Sequence, residues 1–241
     1  MGIREMVLLF LLVWTGWSWC LKTTVNLTVQ ATKVDYSPDG TLLAVTSVAS
    51  NRVYLYETIN FFKVFTYAPT GGDNVRTARF TRDGTYLGIG FDNGNVKLLS
   101  GTAPFSSTPI RTISSQNKNI ADIDFNYGYD KLLVCYVNDD NIFVIKNYAS
   151  ASPTSDNRDT TRVQWGCKWS KNDNACEIDD DRYVKCYDVD SSGTIASTYR
   201  TRSRAADNDF RDLAVRPTTV TPIKVPLRRC RSSWQEATTT T

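Results

Sequence analysis

The stretch Lys33-Val-Asp-Tyr36-Ser-Pro-Asp-Gly40-Thr-Leu-Leu-Ala-Val45 decides the fold, because related stretches follow it at an almost constant distance. In each copy an alternating apolar run ends on an aromatic residue, a turn rich in Asp, Asn or Gly follows, and a second run comes next. The four marker aromatics, Tyr36, Phe80, Phe125 and Trp169, are separated by 44, 45 and 44 residues. Such a period predicts a repeat architecture.

Each repeat holds two more runs with the length and alternation of β-strands. A third strand is predicted at residues 53–56, 96–99, 142–145 and 184–187, and a more polar fourth strand at 61–67, 110–113 and 195–199. Four short antiparallel strands per repeat are typical of one propeller blade. We therefore expect an all-β protein, a β-propeller of four-stranded antiparallel blades. It would have four full blades and a weaker fifth copy from Leu213 to Pro217, with a β-sandwich as the alternative fold.

Two motifs resemble the blades of WD-repeat proteins. They are Ser37-Pro-Asp-Gly40 and the stretch Gly90-Phe-Asp-Asn-Gly-Asn-Val-Lys-Leu-Leu-Ser100, and Tyr56-Glu57 and Tyr187-Asp188 stand where that family carries its Trp-Asp pair. The resemblance covers residues 33–200. The chain contains no histidine, so it departs from the Gly-His dipeptide of the family and from the hydrogen-bond network built on it. The resemblance implies a divergent WD-repeat-like propeller.

The blades are expected over residues 21–216, followed by a basic tail with Pro and Thr at 217–241. Closure of a propeller removes exposed strand edges, and four blades and a fragment leave that closure undecided. Three arrangements stay open. Residues 21–32 and C-terminal strands complete a small ring, or the chain is a fragment, or its open ends pair with other copies.

The first twenty residues have the pattern of a secretory signal peptide. The apolar run at residues 7–14 is too short to span a bilayer, which needs about 20 apolar residues, but it suits the core of such a signal. Small residues follow, so cleavage is expected after Gly16, Ser18 or Cys20. The sequon Asn26-Leu-Thr28 then predicts a glycan on Asn26. We expect a secreted protein without a transmembrane segment.

Three of the six cysteines lie on successive predicted strands of the fourth blade. Cys167, Cys176 and Cys186 all fall at inward positions, and the turn positions place Cys176 opposite both of the others. We therefore expect Cys176 to pair with Cys167 or with Cys186; three buried thiols are the alternative. Cys135 aligns with no other cysteine.

The absence of histidine excludes Ser-His-Asp and Cys-His catalysis and every His metal ligand. We predict no enzyme activity, no cofactor and no metal site. Two acidic stretches, Asp179-Asp-Asp181 with Glu177 and Asp188-Val-Asp190-Ser-Ser-Gly193, suggest calcium, but the second lacks a distal Glu. We interpret both as solvated hairpin turns.

The stretch from Arg200 to Arg231 holds nine basic and three acidic residues. Its candidate binding patch consists of Arg200, Arg202, Arg204, Arg228, Arg229 and Arg231. Such a patch suits a protein partner or acidic glycans. Nucleic acid is not expected, because the net charge is only +3 and no aromatic residues are interleaved with the basic ones.

The function that these observations favour is an extracellular protein-interaction or structural module, because repeats present loops on a rigid scaffold. One alternative is a subunit of an extracellular fibre or matrix, assembled by strand pairing between copies. The other is a secreted propeller hydrolase or lactonase, which would need convergent carboxylates, and the inner strands offer only Asp35, Asp122 and Asp124.

Overall fold

The computed structural model describes residues 30–114, 116–137, 141–159, 164–179 and 183–203, and every element within these ranges is a β-strand. The strands form four antiparallel sheets of four, each in chain order. Blade one holds β1 (Lys33–Tyr36), β2 (Leu42–Ser47), β3 (Arg52–Glu57) and β4 (Lys63–Tyr67). Blade two holds β5 (Val75–Phe80), β6 (Tyr86–Phe91), β7 (Asn95–Ser100) and β8 (Arg111–Ser114).

Blade three holds β9 (Ile120–Phe125), β10 (Lys131–Tyr136), β11 (Asn141–Lys146) and β12 (Thr154–Asp159). Blade four holds β13 (Gln164–Trp169), β14 (Asn174–Asp179), β15 (Tyr183–Val189) and β16 (Ile195–Ser203). The expected all-β fold with four-stranded blades is confirmed. Strand β12 was not predicted, because its sequence Thr-Ser-Asp-Asn-Arg-Asp has no apolar alternation. The fifth copy at Leu213 to Pro217 lies outside the described residues.

In blades one and two, the turn between the first two strands is built around an aspartate. The Asp39 carboxylate accepts hydrogen bonds from the Ser37 hydroxyl and from the backbone N–H and hydroxyl of Thr41. Asp83 accepts the same three bonds in blade two. Gly40 and Gly84 follow with φ of 72° and 74°, values that a side chain disfavours. Asp and Gly at these places therefore fix the turn in both blades.

The marker aromatics pack each blade onto the preceding one. Phe80 belongs to a cluster with Val53 and Leu55 of blade one, and Phe125 to one with Val96 and Leu98 of blade two. Trp169 packs with Leu133 and Val144 of blade three. The aromatic at the 44-residue period is thus the side chain that joins consecutive blades, which explains why the period can be read in the sequence.

The first strands of consecutive blades lie against one another, β1 with β5, β5 with β9 and β9 with β13, and form the inner layer of the propeller. The residue before the marker aromatic alternates in charge along this layer, as Asp35, Arg79, Asp124 and Lys168. Arg79 binds Asp35 of the preceding blade at 3.4 Å and Asp122 of the next at 3.0 Å. Ion pairs therefore join three blades at their inner strands.

Aspartates also bind the backbone of the following blade. The Asp35 carboxylate accepts the N–H of Phe80 at 2.8 Å, and Asp124 accepts the N–H of Trp169 at 2.8 Å. These bonds satisfy inner-strand N–H groups that would otherwise be buried without an acceptor. The inner aspartates thus set the register of one blade against the next.

Asp122 is 1% exposed and is held between two cations. Lys33 reaches it from blade one at 3.1 Å, and Arg79 reaches it from blade two. Burial raises the pKa of Asp122, but Lys33, Arg79 and Lys168 outweigh this and hold the pKa well below its usual value. At Asp35 the balance is opposite: burial raises the pKa, and Arg79 offsets it only in part. Asp122 is therefore the carboxylate whose charge the fold stabilises most clearly.

The cysteines form two pairs at disulfide distance. Cys176 lies directly opposite Cys186 with a Cα–Cα distance of 4.0 Å, and Cys167 lies beside Cys135 of blade three at 6.2 Å. The expectation that Cys167 faces Cys176 is wrong, because the register pairs Cys167 with Glu177. Alignment within one blade also could not show that Cys135 of β10 meets Cys167 of β13, since that contact arises between blades.

We predict that Asp122→Asn lowers the free energy of unfolding by about 3–5 kcal/mol at pH 7, because Lys33 and Arg79 lose their shared buried anion. A carboxylate with a lowered pKa adds stability above its unfolded pKa, and this stability is lost as the pH falls toward the folded value. The deficit should therefore be largest above pH ~4 and shrink below it. Denaturant unfolding at pH 7 and in acid, with surface Asp92→Asn as control, measures this. Equal losses in both variants at pH 7 would contradict it.

We predict that Cys135→Ser lowers Tm more than Cys176→Ser. The two pairs have sequence separations of 32 and 10, and loop-closure entropy makes the corresponding links worth about 4 and about 3 kcal/mol. Thermal unfolding of oxidised protein tests the order, after peptide mapping has established the links. Free thiols at all four positions in oxidised protein would refute the pairing.

Candidate functional site

The inner strands carry the carboxylates that a propeller enzyme would use for acid–base chemistry or for a metal. Here Asp122 binds Lys33 and Arg79, and Asp124 binds Arg82 and Lys168 at 2.9 and 3.4 Å. Among the described residues, no group of three or more potential metal ligands is gathered. The described residues also form a groove that offers a binding surface.

A groove of about 600 Å³ runs between blades one and two on the face that carries the β1–β2 and β5–β6 turns. Both Asp-centred turns, the start of β2, the end of β3 and the loop after β7 contribute to its walls. Its lining residues are Ser37, Pro38, Asp39, Thr41, Leu42, Glu57, Val64, Asp83, Gly84, Gly101, Thr102, Ala103 and Phe105.

The largest apolar side chains of the groove are those of Leu42, Val64 and Phe105. The ring of Phe105 packs on Phe65 with centroids 5.6 Å apart, which holds the loop after β7 against blade one. Val64 is 38% exposed, and the β3–β4 hairpin that bears it also presents Ile59 and Phe62, 90% and 68% exposed. Exposed apolar side chains gathered in this way mark interaction surfaces.

The rim of the groove is acidic. Burial raises the pKa of Asp83, but hydrogen bonds from Thr81 and Thr85 outweigh this, so the pKa falls below its usual value. Hydrogen bonds from the Ser37 hydroxyl and from Thr41 likewise lower the pKa of Asp39. Glu57 adds a third carboxylate. None of the three is in an ion pair with a Lys or Arg of the described chain.

The wall formed by the loop after β7 depends on Gly101. A Cβ at this position would lie 2.1 Å from the Gly84 carbonyl oxygen, so the backbone approaches too closely for any side chain. The Gly101 N–H donates to the Thr85 carbonyl at 2.9 Å. On the opposite wall, the Thr58 hydroxyl donates to the Gly40 carbonyl at 2.7 Å. The groove is therefore fixed by backbone contacts on both sides.

The other predicted sites fall partly outside the described residues. Residues 1–20, Asn26, Arg204, Arg228, Arg229 and Arg231 lie beyond them. Arg200 and Arg202 belong to β16 opposite Cys186 and Val184, although their side chains are not described. Where membrane spans are concerned, the described residues hold no helix long and apolar enough to cross a bilayer.

The two acidic stretches behave differently from each other. The Asp190 carboxylate accepts hydrogen bonds from the N–H and hydroxyl of Ser192 and from the N–H of Thr194, as expected of a hairpin turn. Glu177 is fully buried and accepts a bond from the Tyr187 hydroxyl at 3.1 Å. Asp180 and Asp181 lie outside the described residues.

Sequence reasoning did not single out the groove. The sequence identified the residues of the β1–β2 and β5–β6 turns only as parts of turns. It could not show that these two turns, which belong to different blades, lie on either side of one groove. One local signal was available: the loop Ile59-Asn-Phe-Phe62 carries three apolar residues where hairpin loops usually carry polar ones.

Comparisons with known proteins give the family and the fold. A family model described as "Anaphase-promoting complex subunit 4 WD40 domain" matches residues 34–168, which is more than half of the chain. No curated protein matches. Many chains of solved structures match. One belongs to the "Crystal Structure of Mitotic Checkpoint Complex", with a TM-score of 0.60 and 16% identity over 74% of this chain.

That likeness shows the fold, and this chain covers 55% of the length of the solved one. WD40 propellers bind protein partners and typically act as non-catalytic scaffolds. The marker period, the blades packed through their aromatics and the family match agree with one another. The chain therefore belongs to the WD40 domain family described for anaphase-promoting complex subunit 4.

Proposed function

We propose that this chain is a secreted, non-catalytic WD40 propeller that binds a protein partner in the groove between blades one and two. The observation that carries the proposal is the groove itself, an apolar floor with three carboxylates at its rim, none of which forms an ion pair with a Lys or Arg in the part of the chain that the structure describes. The inner carboxylates support a non-catalytic role, because a propeller hydrolase would use them for chemistry and here they bind Lys33, Arg79 and Lys168.

The chemistry of the groove defines the partner. An aliphatic or aromatic side chain would fill the space beside Leu42, Val64 and Phe105, where desolvation supplies most of the affinity. A Lys or Arg next to it would face Asp39, Glu57 and Asp83, and such complementarity speeds association and fixes orientation. The expected partner segment is therefore apolar with flanking basic residues.

Secretion is supported by the N-terminal sequence and by the cysteines. The apolar run at residues 7–14 and the sequon at Asn26 suit an exported protein. Two cysteine pairs at disulfide distance suit an oxidising compartment, since cytosolic thiols are kept reduced. The basic patch from Arg200 to Arg231 offers acidic glycans a second ligand site.

A display library of random short peptides, selected on the oxidised full chain, tests the groove. We expect the enriched peptides to combine an aliphatic or aromatic residue with Lys or Arg. Val64→Arg and Glu57→Lys should weaken their binding by about tenfold or more, because one blocks the floor and the other reverses the rim charge.

Ile110→Arg is the matched control, because Ile110 is also an exposed apolar residue, 59% exposed, but does not line the groove. It should bind the selected peptides as the unchanged protein does. Peptides without basic residues, or equal loss in Val64→Arg and Ile110→Arg, would show that the groove is not the binding site.

We predict that protein secreted from eukaryotic cells lacks residues 1–20 and carries a glycan on Asn26. Intact mass before and after enzymatic deglycosylation measures both, and Asn26→Gln should remove the glycan without changing the N-terminus. A secreted product that still begins at Met1 would contradict the signal peptide.

A further inference from the structure

Tyr148 fills, between blades two and three, a place that corresponds to the groove between blades one and two. It lies two residues after the end of β11 and is 2% exposed. Its ring packs on the marker Phe125, with centroids 5.0 Å apart. Val96 and Leu98 of blade two belong to the same apolar cluster. A side chain of the loop after β11 is therefore buried at the interface with the preceding blade.

Backbone hydrogen bonds identify Thr102 as the counterpart of Tyr148 in blade two. The Gly101 N–H donates to the carbonyl of the residue that precedes β6. The Asn147 N–H donates to the carbonyl of the residue that precedes β10. The loops after β7 and β11 therefore start at equivalent points, and Thr102 and Tyr148 are the next residues along the chain.

The walls of the two places also correspond. Tyr86, the first residue of β6, packs against the cluster that holds Tyr148. Its counterpart at the start of β2 is Leu42, which lines the groove. Burial raises the pKa of the Tyr148 phenol, and the nearby charge of Asp83 raises it further. The counterpart of Asp83 in blade one is Asp39, which also lines the groove. Both places therefore have a bulky side chain and a carboxylate at the same positions.

The two places differ in the side chain that lies between these walls. Thr102 is short and exposed, and it lines the groove instead of filling it. Phe105, the large apolar residue of the same loop, packs on Phe65 of β4, the edge strand of blade one, and is itself part of the groove wall. The groove of about 600 Å³ thus corresponds to a place that blade three fills with its own aromatic ring.

We propose that the partner fills the groove with a tyrosine side chain, which takes the position that Tyr148 takes between blades two and three. Its ring packs beside Leu42, and its hydroxyl group lies at the acidic rim near Asp39. This inference rests on the proposed function, because it names the side chain that the groove accepts. It narrows the apolar residue of the partner segment to one type.

The charges at the rim decide which form of tyrosine can bind. A neutral phenol can donate a hydrogen bond to a carboxylate, and a neighbouring Lys or Arg of the partner is attracted to Asp39, Glu57 and Asp83. A phosphate group on the tyrosine would add about two negative charges beside these carboxylates. Like charges this close repel one another. Phosphorylation of the partner's tyrosine should therefore prevent binding.

A display library with one randomised position between two lysines, selected on the oxidised full chain, tests the choice of side chain. We expect tyrosine to be the most enriched residue at that position. Val64→Arg should weaken binding of the tyrosine peptide by about tenfold or more, because it blocks the groove. The same peptide with phosphotyrosine should bind the unchanged protein about tenfold more weakly or worse.

The outcomes separate this inference from the proposed function. If aliphatic residues are enriched and their binding is lost in Val64→Arg, the groove remains the binding site and the tyrosine assignment is wrong. If no residue is selected, or if Val64→Arg leaves binding unchanged, both are wrong. Equal binding of the tyrosine and phosphotyrosine peptides would show that the ring does not lie at the acidic rim.

Thr102→Tyr tests the correspondence with Tyr148 without any peptide. The new ring should fill the groove from within and raise Tm by about 3–8 °C, because it buries apolar surface as Tyr148 does. It should also weaken binding of the tyrosine peptide by about tenfold or more, since the groove is then occupied.

Thr108→Tyr is the matched control, because Thr108 is an exposed threonine of the same loop that does not line the groove. It should change Tm by about 1 °C or less and leave peptide binding as it is in the unchanged protein. An unchanged or lowered Tm in Thr102→Tyr, or equal effects of the two variants, would overturn the inference.

Discussion

The inner aspartates are the constraint on which the rest of the propeller depends. Blades in such a fold contact only their neighbours, so each interface must by itself define how one sheet sits on the next. Apolar packing alone would allow one sheet to slide along the next. The hydrogen bond from the backbone N–H of Trp169 to the Asp124 carboxylate is directional and buried, so it fixes their relative position. The marker aromatics supply burial, and the aspartates supply the register.

The charge alternation along the inner strands joins neighbouring blades through ion pairs. A buried Asp–cation pair costs desolvation, and losing one partner is worse than losing both. Arg79 is desolvated by its burial, and this cost is offset because its guanidinium reaches both Asp35 and Asp122. A fork-shaped cation suits this position better than lysine would, since it can bridge two acceptors in fixed geometry.

The sequence predicted what repeats along the chain and missed what arises between repeats. The period of Tyr36, Phe80, Phe125 and Trp169 yielded the blades, because it reflects packing that recurs at every interface. The Cys135–Cys167 contact and the groove could not be predicted, because each joins residues of different blades whose spacing has no sequence pattern. The partner of Cys167 was predicted wrongly because the β13–β14 turn is centred about half a residue later than expected. Strand β12 was not predicted because its residues are polar and show no apolar alternation.

A disulfide between Cys135 and Cys167, which lie at disulfide distance, would have a mechanical consequence. These residues belong to neighbouring blades and enclose a sequence separation of 32. When the protein is stretched along its backbone, tension would pass through such a bridge and bypass the enclosed chain. At about 3.5 Å per extended residue, roughly 100 Å of contour length is withheld until the bridge is reduced. Blades one and two would then extend fully under load, while the junction of blades three and four keeps its length.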